Sequence, residues 1–400
     1  MSGAERKPRL AVVSPFLSKG YGTEAITIQW ITLLADKLEI HLYSQWVEDI
    51  DLSRIIWHRI PKMPGPHLLN YIWWFAANQV WRAWDRRFRG LNYDIVFSPG
   101  INCFDADAIA VHIVFAEFVR RVRTELRFGR NPIWFWPRLL HRRLYYGLVI
   151  FLERRVYANP NIVLIFCSRK TSADLDRFLG RHGPSHVLHP GLDHSAYSST
   201  RRAALRKNAR DEFCLAGERF TLLIIGNDWH KKGIRALLDA LARLRDLPID
   251  LIAVGRESPA PFQAMAVERN LNGRVRFFPP RKDVEFYYAA ADAYAGPSLE
   301  DAFALPVAEA MACGLPVIVS REAGSSEIIT HGVDGLILED PTDSAGLAEM
   351  IRRLYEDAEF RRRLGERAAE TARQYTWERN GRELTSIFEE ILRQKSGLSE

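Results

Sequence analysis

Asp301 and Glu309 stand eight positions apart, on either side of Pro306. Pro306 suits the first turn of a helix, because the amide hydrogen it lacks is one that a helix start leaves unpaired anyway. The amides around Ala304 and Leu305 would then point out of that start, where backbone N–H groups and the helix dipole favour an anion such as a diphosphate. Glu309 falls a turn further in, where a carboxylate can accept two hydrogen bonds from a ribose diol. Asp301, on the loop ahead of the helix, can bond sugar hydroxyls. Gly314 closes the helix and Pro316 stops it. Taken singly, each acid also has a plainer reading: Asp301 as a helix cap and Glu309 as a surface acid.

Other residues point the same way. Lys231 and Lys232 precede Gly233 at a second helix start. Cations there oppose the helix dipole, which favours a functional use over a merely solvated pair. Gly20-Tyr-Gly-Thr-Glu24 follows the first strand; a tight turn would explain two glycines, and so would close approach of the backbone to a ligand. His112 follows the apolar run Ala108 to Val111, where a structural reading stands beside a functional one.

These residues need a frame that brings loop ends together. Leu10 to Ser14 reads as a strand, Glu24 to Leu38 as a helix and Ile40 to Tyr43 as a strand, a βαβ opening that implies a parallel sheet. Further strands are expected at Ile95 to Phe97, Ala108 to Val111 and Val163 to Phe166. A second alternation has strands at Thr221 to Ile225, Ile249 to Val254, Val275 to Phe278, Ala293 to Ala295 and Pro316 to Val319. Helices are expected between them, at Ile234 to Arg245, Pro261 to Arg269, Val284 to Ala291 and Leu305 to Cys313. The expectation is an α/β protein of two Rossmann-like domains, residues 1–197 and 211–376, with the polar, basic stretch Ser198 to Arg210 as linker. A final amphipathic helix, within 377–400, is expected to pack back on the first domain.

Bulk properties agree with a globular chain. The 400 residues are 47% hydrophobic and 26% charged, enough for two cores. The four cysteines are scattered, without a CxxC pair or a zinc spacing, so neither a disulfide framework nor a structural metal is expected. The start has no secretory apolar run and no stretch is long enough to span a bilayer, so the expected location is cytoplasmic. A net charge of +6 suggests an anionic partner: nucleotide phosphates, an anionic membrane surface or nucleic acid.

Two segments break the βα rhythm. Tyr71 to Arg89 holds Trp73, Trp74, Trp81 and Trp84 beside four arginines, and Arg120 to Arg155 holds ten arginines, seven aromatics and two acids. Tryptophan with arginine on a helix is the composition of an interfacial amphipathic helix. The alternative is a domain core whose arginines lie on a solvated face.

The segment from Pro297 to Val317 resembles the signature of the retaining GT-B glycosyltransferases of group 1 (family 4), in which two acids flank seven residues; the family includes bacterial lipopolysaccharide and exopolysaccharide sugar transferases. This chain departs from the usual pattern in having Asp301 as the first acid, with Glu300 just before it, and alanines at Ala302 and Ala304 where glycines are usual. The spacing to Glu309 favours Asp301 over Glu300 as the sugar contact. Ile225-Gly-Asn-Asp-Trp-His-Lys-Lys-Gly233, Gly20-Tyr-Gly22, His189-Pro-Gly-Leu-Asp193, Ala323-Gly-Ser-Ser-Glu327 and Tyr375-Thr-Trp-Glu378 resemble further family elements, in the family's order.

The resemblance implies a GT-B fold, two Rossmann-like domains facing a central cleft, and transfer of a hexose from a UDP- or GDP-sugar with retention and without a metal or other cofactor. It assigns His112, Lys232 and Asp301 to catalysis. Gly20, Gly22, Thr23, Lys231, Glu300, Phe303, Ala304, Leu305 and Glu309 would bind substrate. The implied partners are a nucleotide-sugar donor and a saccharide or lipid-linked acceptor in cell-envelope or exopolysaccharide biosynthesis; the composition of the Trp- and Arg-rich segments, not the resemblance, adds an anionic membrane surface as a further candidate partner and speaks against nucleic acid. The alternatives are a sugar-nucleotide epimerase, or a divergent, inactive relative that binds membrane or polyanion.

Overall fold

The computed structural model describes residues 6–121, 133–215 and 219–397. The chain forms two compact units, one reaching to His189 and resuming at Glu378, the other Pro190–Trp377.

The first unit runs β1 (Arg9–Val13), β2 (Phe16–Leu17), α1 (Gly22–Leu34), β3 (Glu39–Ser44), β4 (Trp46–Val47), β5 (Ile56–Arg59), α2 (His67–Arg89), β6 (Ile95–Pro99), β7 (Ala108–Val111), α3 (Phe115–Arg121), α4 (Trp136–Tyr157), β8 (Val163–Phe166), α5 (Arg169–Leu179) and β9 (Ser185–Val187). Seven of these strands make one parallel sheet in the order β5-β3-β1-β6-β7-β8-β9, and β2 pairs with β4 apart from it. The apolar runs of β1, β7 and β8 are buried on both sides, as parallel strands covered by helices must be. One core gathers Ala11, Val13, Val111 and Leu164 with Trp74 of α2 and Val149 of α4.

The second unit runs α6 (Ser199–Glu212), β10 (Phe220–Ile225), α7 (Ile234–Arg243), β11 (Ile249–Val254), α8 (Ala260–Glu268), β12 (Val275–Phe278), α9 (Glu285–Ala290), β13 (Ala293–Gly296), α10 (Leu305–Ala312), β14 (Val317–Ser320), β15 (Leu336–Leu338), α11 (Ser344–Glu356) and α12 (Ala358–Ala372). Its parallel sheet has the order β12-β11-β10-β13-β14-β15. The sequence of β10, apolar but for the buried Thr221, is what a strand covered on both faces requires.

The last helix, α13 (Trp377–Lys395), lies with the first unit from Glu378 onward. Asn380 ties it down: it accepts from Trp30 Nε1 at 2.7 Å and donates to the carbonyl of His189 at 2.8 Å. A Cβ on Gly381 would lie 3.0 Å from Leu33 Cδ1, so the glycine permits the close approach of α13 to α1.

The stretch Ser198 to Arg210 is not a linker. It is most of α6, capped by Ser198, whose hydroxyl accepts from the amide of Arg201 at 3.3 Å. Its arginines recur every four residues on one face. Arg202 and Arg206 each donate to the carbonyl of Ala291 at 2.9 Å, and Arg210 donates to that of Ala290 at 3.0 Å. They satisfy the unpaired carbonyls at the end of α9, where the helix dipole favours cations. Within the segment Arg120 to Arg155, residues 122–132 lie outside the described residues.

Candidate active site

A sheet whose strand order reverses leaves a crevice outside the carboxyl ends of the two strands at the reversal. In the second unit those strands are β10 and β13. The loop after β10 carries Lys231 and Lys232, and the loop after β13 carries Glu300 and Asp301. Lys232 Nζ makes a close ion pair with Asp301 Oδ2.

Two glycines make that pair possible. Gly233 has a φ of +79°, and a Cβ there would stand 1.9 Å from the carbonyl oxygen of Pro297. A Cβ on Gly226 would lie 2.6 Å from Lys232 Cγ and Cε, so the lysine stem uses the space its absence leaves. The loops are also tied directly, the amide of Leu299 donating to the carbonyl of Lys231 at 2.7 Å.

Asp301 does a second job. Its Oδ1 accepts from the amide of Ala304 at 2.8 Å and from that of Phe303 at 3.3 Å. It thereby braces the loop ahead of α10 rather than capping the helix, whose N-cap residue is Ala304 and receives no side-chain cap bond. The amide of Ala304, expected to point freely outward, is instead taken by Asp301. The cause is the left-handed backbone of Ala304, with φ 61° and ψ 64°. Leu305 and Pro306 then open α10; Pro306 has no amide hydrogen, and the amide of Val307 donates to the carbonyl of Ala304 at 2.9 Å. Phe303 is buried, and its carbonyl accepts from the amide of Ser325 at 2.7 Å. The hydroxyl of Ser325 is buried and has no hydrogen-bond partner among the described residues.

Glu309, one turn into α10, is not a surface acid. Tyr288 donates its hydroxyl to Glu309 Oε2 at 2.5 Å, and Tyr197 adds a side-chain hydrogen bond. The two phenol rings meet edge to face at 5.7 Å. Burial pushes the Glu309 carboxyl up to about 7, against the opposing pull of the two hydroxyls. Neither tyrosine was among the expected site residues, because the contacts join distant parts of the chain.

The remaining expected residues belong to the first unit. Gly20 lies in the turn before α1, and Gly22 and Thr23 open that helix. A Cβ at Gly22 would meet nothing within 4 Å, so the unit itself does not demand glycine there. His112 follows β7, its ring 6.5 Å from that of Trp30. Burial pushes it down to about 4, so the imidazole is neutral near pH 7. Its Nε2 is buried without a hydrogen-bond partner among the described residues, an arrangement that calls for an explanation. In the helix that Gly22 and Thr23 open, burial raises Glu24 to about 7. No group of three or more His, Cys, Asp or Glu side chains is placed to hold a metal ion among the described residues.

Residues 206–371, which lie inside the second unit, match the family model described as Glycosyl transferases group 1. The second unit is a glycosyl transferases group 1 domain. Lys232, Asp301 and Glu309 all belong to the matched stretch of this group 1 domain. The D-inositol 3-phosphate glycosyltransferase of Corynebacterium efficiens is 32% identical over 216 residues, 51% of this chain and 50% of that protein. The chain spans about half the length of the curated relatives it matches.

Among solved structures, WaaG, a glycosyltransferase involved in lipopolysaccharide biosynthesis, aligns with a TM-score of 0.78 and 20% identity, over 94% of this chain and 99% of that one. Sucrose-phosphate synthase from Thermosynechococcus elongatus aligns at 0.77 and 19%, over 98% and 100%. Anabaena HepE, solved with UDP and glucose, aligns at 0.70 and 18%, over 96% and 99%. These likenesses show the fold: the group 1 domain and the unit before it are of the GT-B class.

Proposed function

We propose that the chain is a retaining, metal-independent glycosyltransferase that moves a hexose from a UDP- or GDP-sugar to a saccharide or lipid-linked acceptor. The observation that carries this reading is the Lys232–Asp301 pair at the strand reversal of the group 1 domain. It supplies a cation beside a helix start and an acid for sugar hydroxyls in one place.

In the reaction the bond from the anomeric carbon to the diphosphate oxygen breaks, and the acceptor hydroxyl bonds that carbon from the same face. The hydroxyl proton passes to the departing phosphate oxygen. Negative charge grows on the diphosphate, so fixed cations and helix-start amides aimed at it lower the barrier most. Lys232, Lys231 and the start of α10 take that role. Asp301 would receive donor-sugar hydroxyls as Lys232 turns toward phosphate. Glu309 holds the ribose. His112, neutral and with an unpartnered Nε2, is suited to a sugar hydroxyl rather than to an anion.

HepE is solved with UDP and glucose, so UDP is the first nucleotide to try. The test is thermal stabilisation of the full chain by UDP, GDP and ADP, followed by transfer from the matching nucleotide sugar. Stabilisation by one diphosphate, lost in Glu309→Ala, supports the reading. No stabilisation by any would overturn it. Anomeric configuration of the product, read by NMR, decides retention.

A further inference from the structure

Helices α2 and α4 carry apolar side chains on the faces they turn away from the core. On α2, Leu69, Ile72, Val80, Trp84 and Phe88 are all exposed. Their spacing puts them on one stripe along the length of the helix, which at 1.5 Å per residue is about 34 Å. The rings of Trp84 and Phe88 stand 4.2 Å apart at its far end. On α4, Leu140, Leu144 and Phe151 repeat the pattern, and Trp134, just ahead of the helix, is 77% exposed. Trp74 of α2 and Val149 of α4 belong to one core, and Tyr71 and Tyr145 join the helices ring to ring at 5.6 Å. Both stripes therefore face outward from the same side of the sheet.

The charges on these helices are sorted. Arg86, Arg87 and Arg89 are exposed in the last turn of α2, and Arg138, Arg142 and Arg143 are exposed in the first half of α4. The one acid of each helix is turned inward. Asp85 is 2% exposed and accepts from Tyr43 at 2.6 Å, while Glu153 is 0% exposed and accepts from the amides of Phe115 and Ala116. What faces outward is apolar and cationic, with no acid from either helix.

We propose that the outward faces of α2 and α4 are a docking surface for an anionic phospholipid bilayer. A polyanion such as nucleic acid would use the arginines but has no need of stripes of leucine, valine and phenylalanine. A bilayer surface uses both, taking the apolar side chains below the headgroups and the arginines at the lipid phosphates. Tryptophan at the ends of the helices suits the interface. No helix among the described residues is long and apolar enough to cross a membrane, so the contact lies in the interfacial plane. This inference deepens the acceptor part of the reading above, by giving a place where a lipid-linked saccharide would be met, but its test does not depend on transfer.

The experiment is flotation of the full chain with vesicles of phosphatidylglycerol in phosphatidylcholine, beside vesicles of phosphatidylcholine alone. The protein floats with the anionic vesicles and not with the neutral ones. Trp84→Ser with Phe88→Ser and Phe151→Ser weakens binding more than tenfold, and so does Arg86→Gln with Arg87→Gln, Arg142→Gln and Arg143→Gln. Both variants keep the wild-type melting temperature and its shift with UDP, which separates this proposal from the donor-site reading. Failure to float with anionic vesicles overturns it, as does undiminished binding by both variants. A dimer in solution that the apolar variant dissociates would assign the face to a second copy instead. Binding to duplex DNA without binding to vesicles would assign it to nucleic acid.

Discussion

Tyr288 donates its phenolic hydroxyl to Glu309 Oε2 at 2.5 Å, so the carboxylate assigned to ribose is held in place by its own unit. Burial nevertheless leaves that carboxyl at about 7. A carboxylate that accepts from a diol must be ionised, so the donor competes with a proton.

Affinity for the nucleoside diphosphate should therefore rise with pH and level off above about 7. Below that point it should fall about tenfold per unit, once the titration of the ligand's own phosphate is subtracted with Glu309→Gln as control. Tyr288→Phe removes a hydrogen bond that lowers the carboxyl's pKa, so the midpoint should move to higher pH. The effect on stability runs the opposite way with pH. The folded carboxyl binds its proton more tightly than the unfolded one, so this stabilising contribution is complete below 4.5 and is lost as pH rises through about 7. Calorimetry across the range checks both; an affinity independent of pH would remove Glu309 from the ribose.

Lys232→Ala should lower kcat by a factor on the order of 100 to 1000, the usual loss when one preorganised charge on a leaving oxyanion is removed. Asp301→Asn should keep the bonds to the amides of Phe303 and Ala304 through its side-chain oxygen while losing the ion pair, so its defect should show in turnover more than in melting temperature. Transfer should survive excess EDTA unchanged. Steady-state kinetics of the variants, and the chelator control, check these; full activity in Lys232→Ala would discard the assignment.

The long buried strands were legible because parallel strands covered on both faces must be largely apolar: β8 is apolar throughout, and β1 and β10 carry one polar residue each, Arg9 and Thr221. The short edge strand β5 was not, since only half of it faces anything. Helix α6 reads as a basic linker until its arginines are seen to meet the carbonyls of another helix. The pattern of acids, proline and lysines around Asp301 was visible locally, because loop chemistry is encoded in neighbouring residues. Tyr288 was not, as it lies 21 positions from Glu309 in a different helix. Composition announced the tryptophans and arginines of α2 and α4, but only the fold shows which of them point outward.

Backbone strain at the site makes two opposite forecasts. Ala304 sits at φ 61°, where an L side chain costs roughly 1–2 kcal/mol. Ala304→Gly removes that cost at the expense of a more flexible unfolded chain, for a net gain of about 0.5–1 kcal/mol. Gly233→Ala meets the carbonyl of Pro297 at 1.9 Å and cannot be accommodated without moving the loop that carries Lys232. It should lose roughly 2 kcal/mol or more, and activity with it. Urea titration of the two variants gives both signs, and a destabilised Ala304→Gly would mean that the left-handed turn is not strained.

The terminal helix depends on a polar contact inside an apolar interface. Asn380 is 2% exposed and bridges Trp30 Nε1 and the carbonyl of His189. Asn380→Ala leaves both groups buried without their partner, which should cost about 2–4 kcal/mol. Trp30→Phe should cost less, since it strands only the amide oxygen of Asn380 and leaves the bond to His189 intact. Because the two side chains share one hydrogen bond, the double variant should be more stable than the sum of the single losses predicts. Thermal melts of the four proteins test this, and strict additivity would mean that the bond between Trp30 and Asn380 contributes nothing to holding α13 against α1.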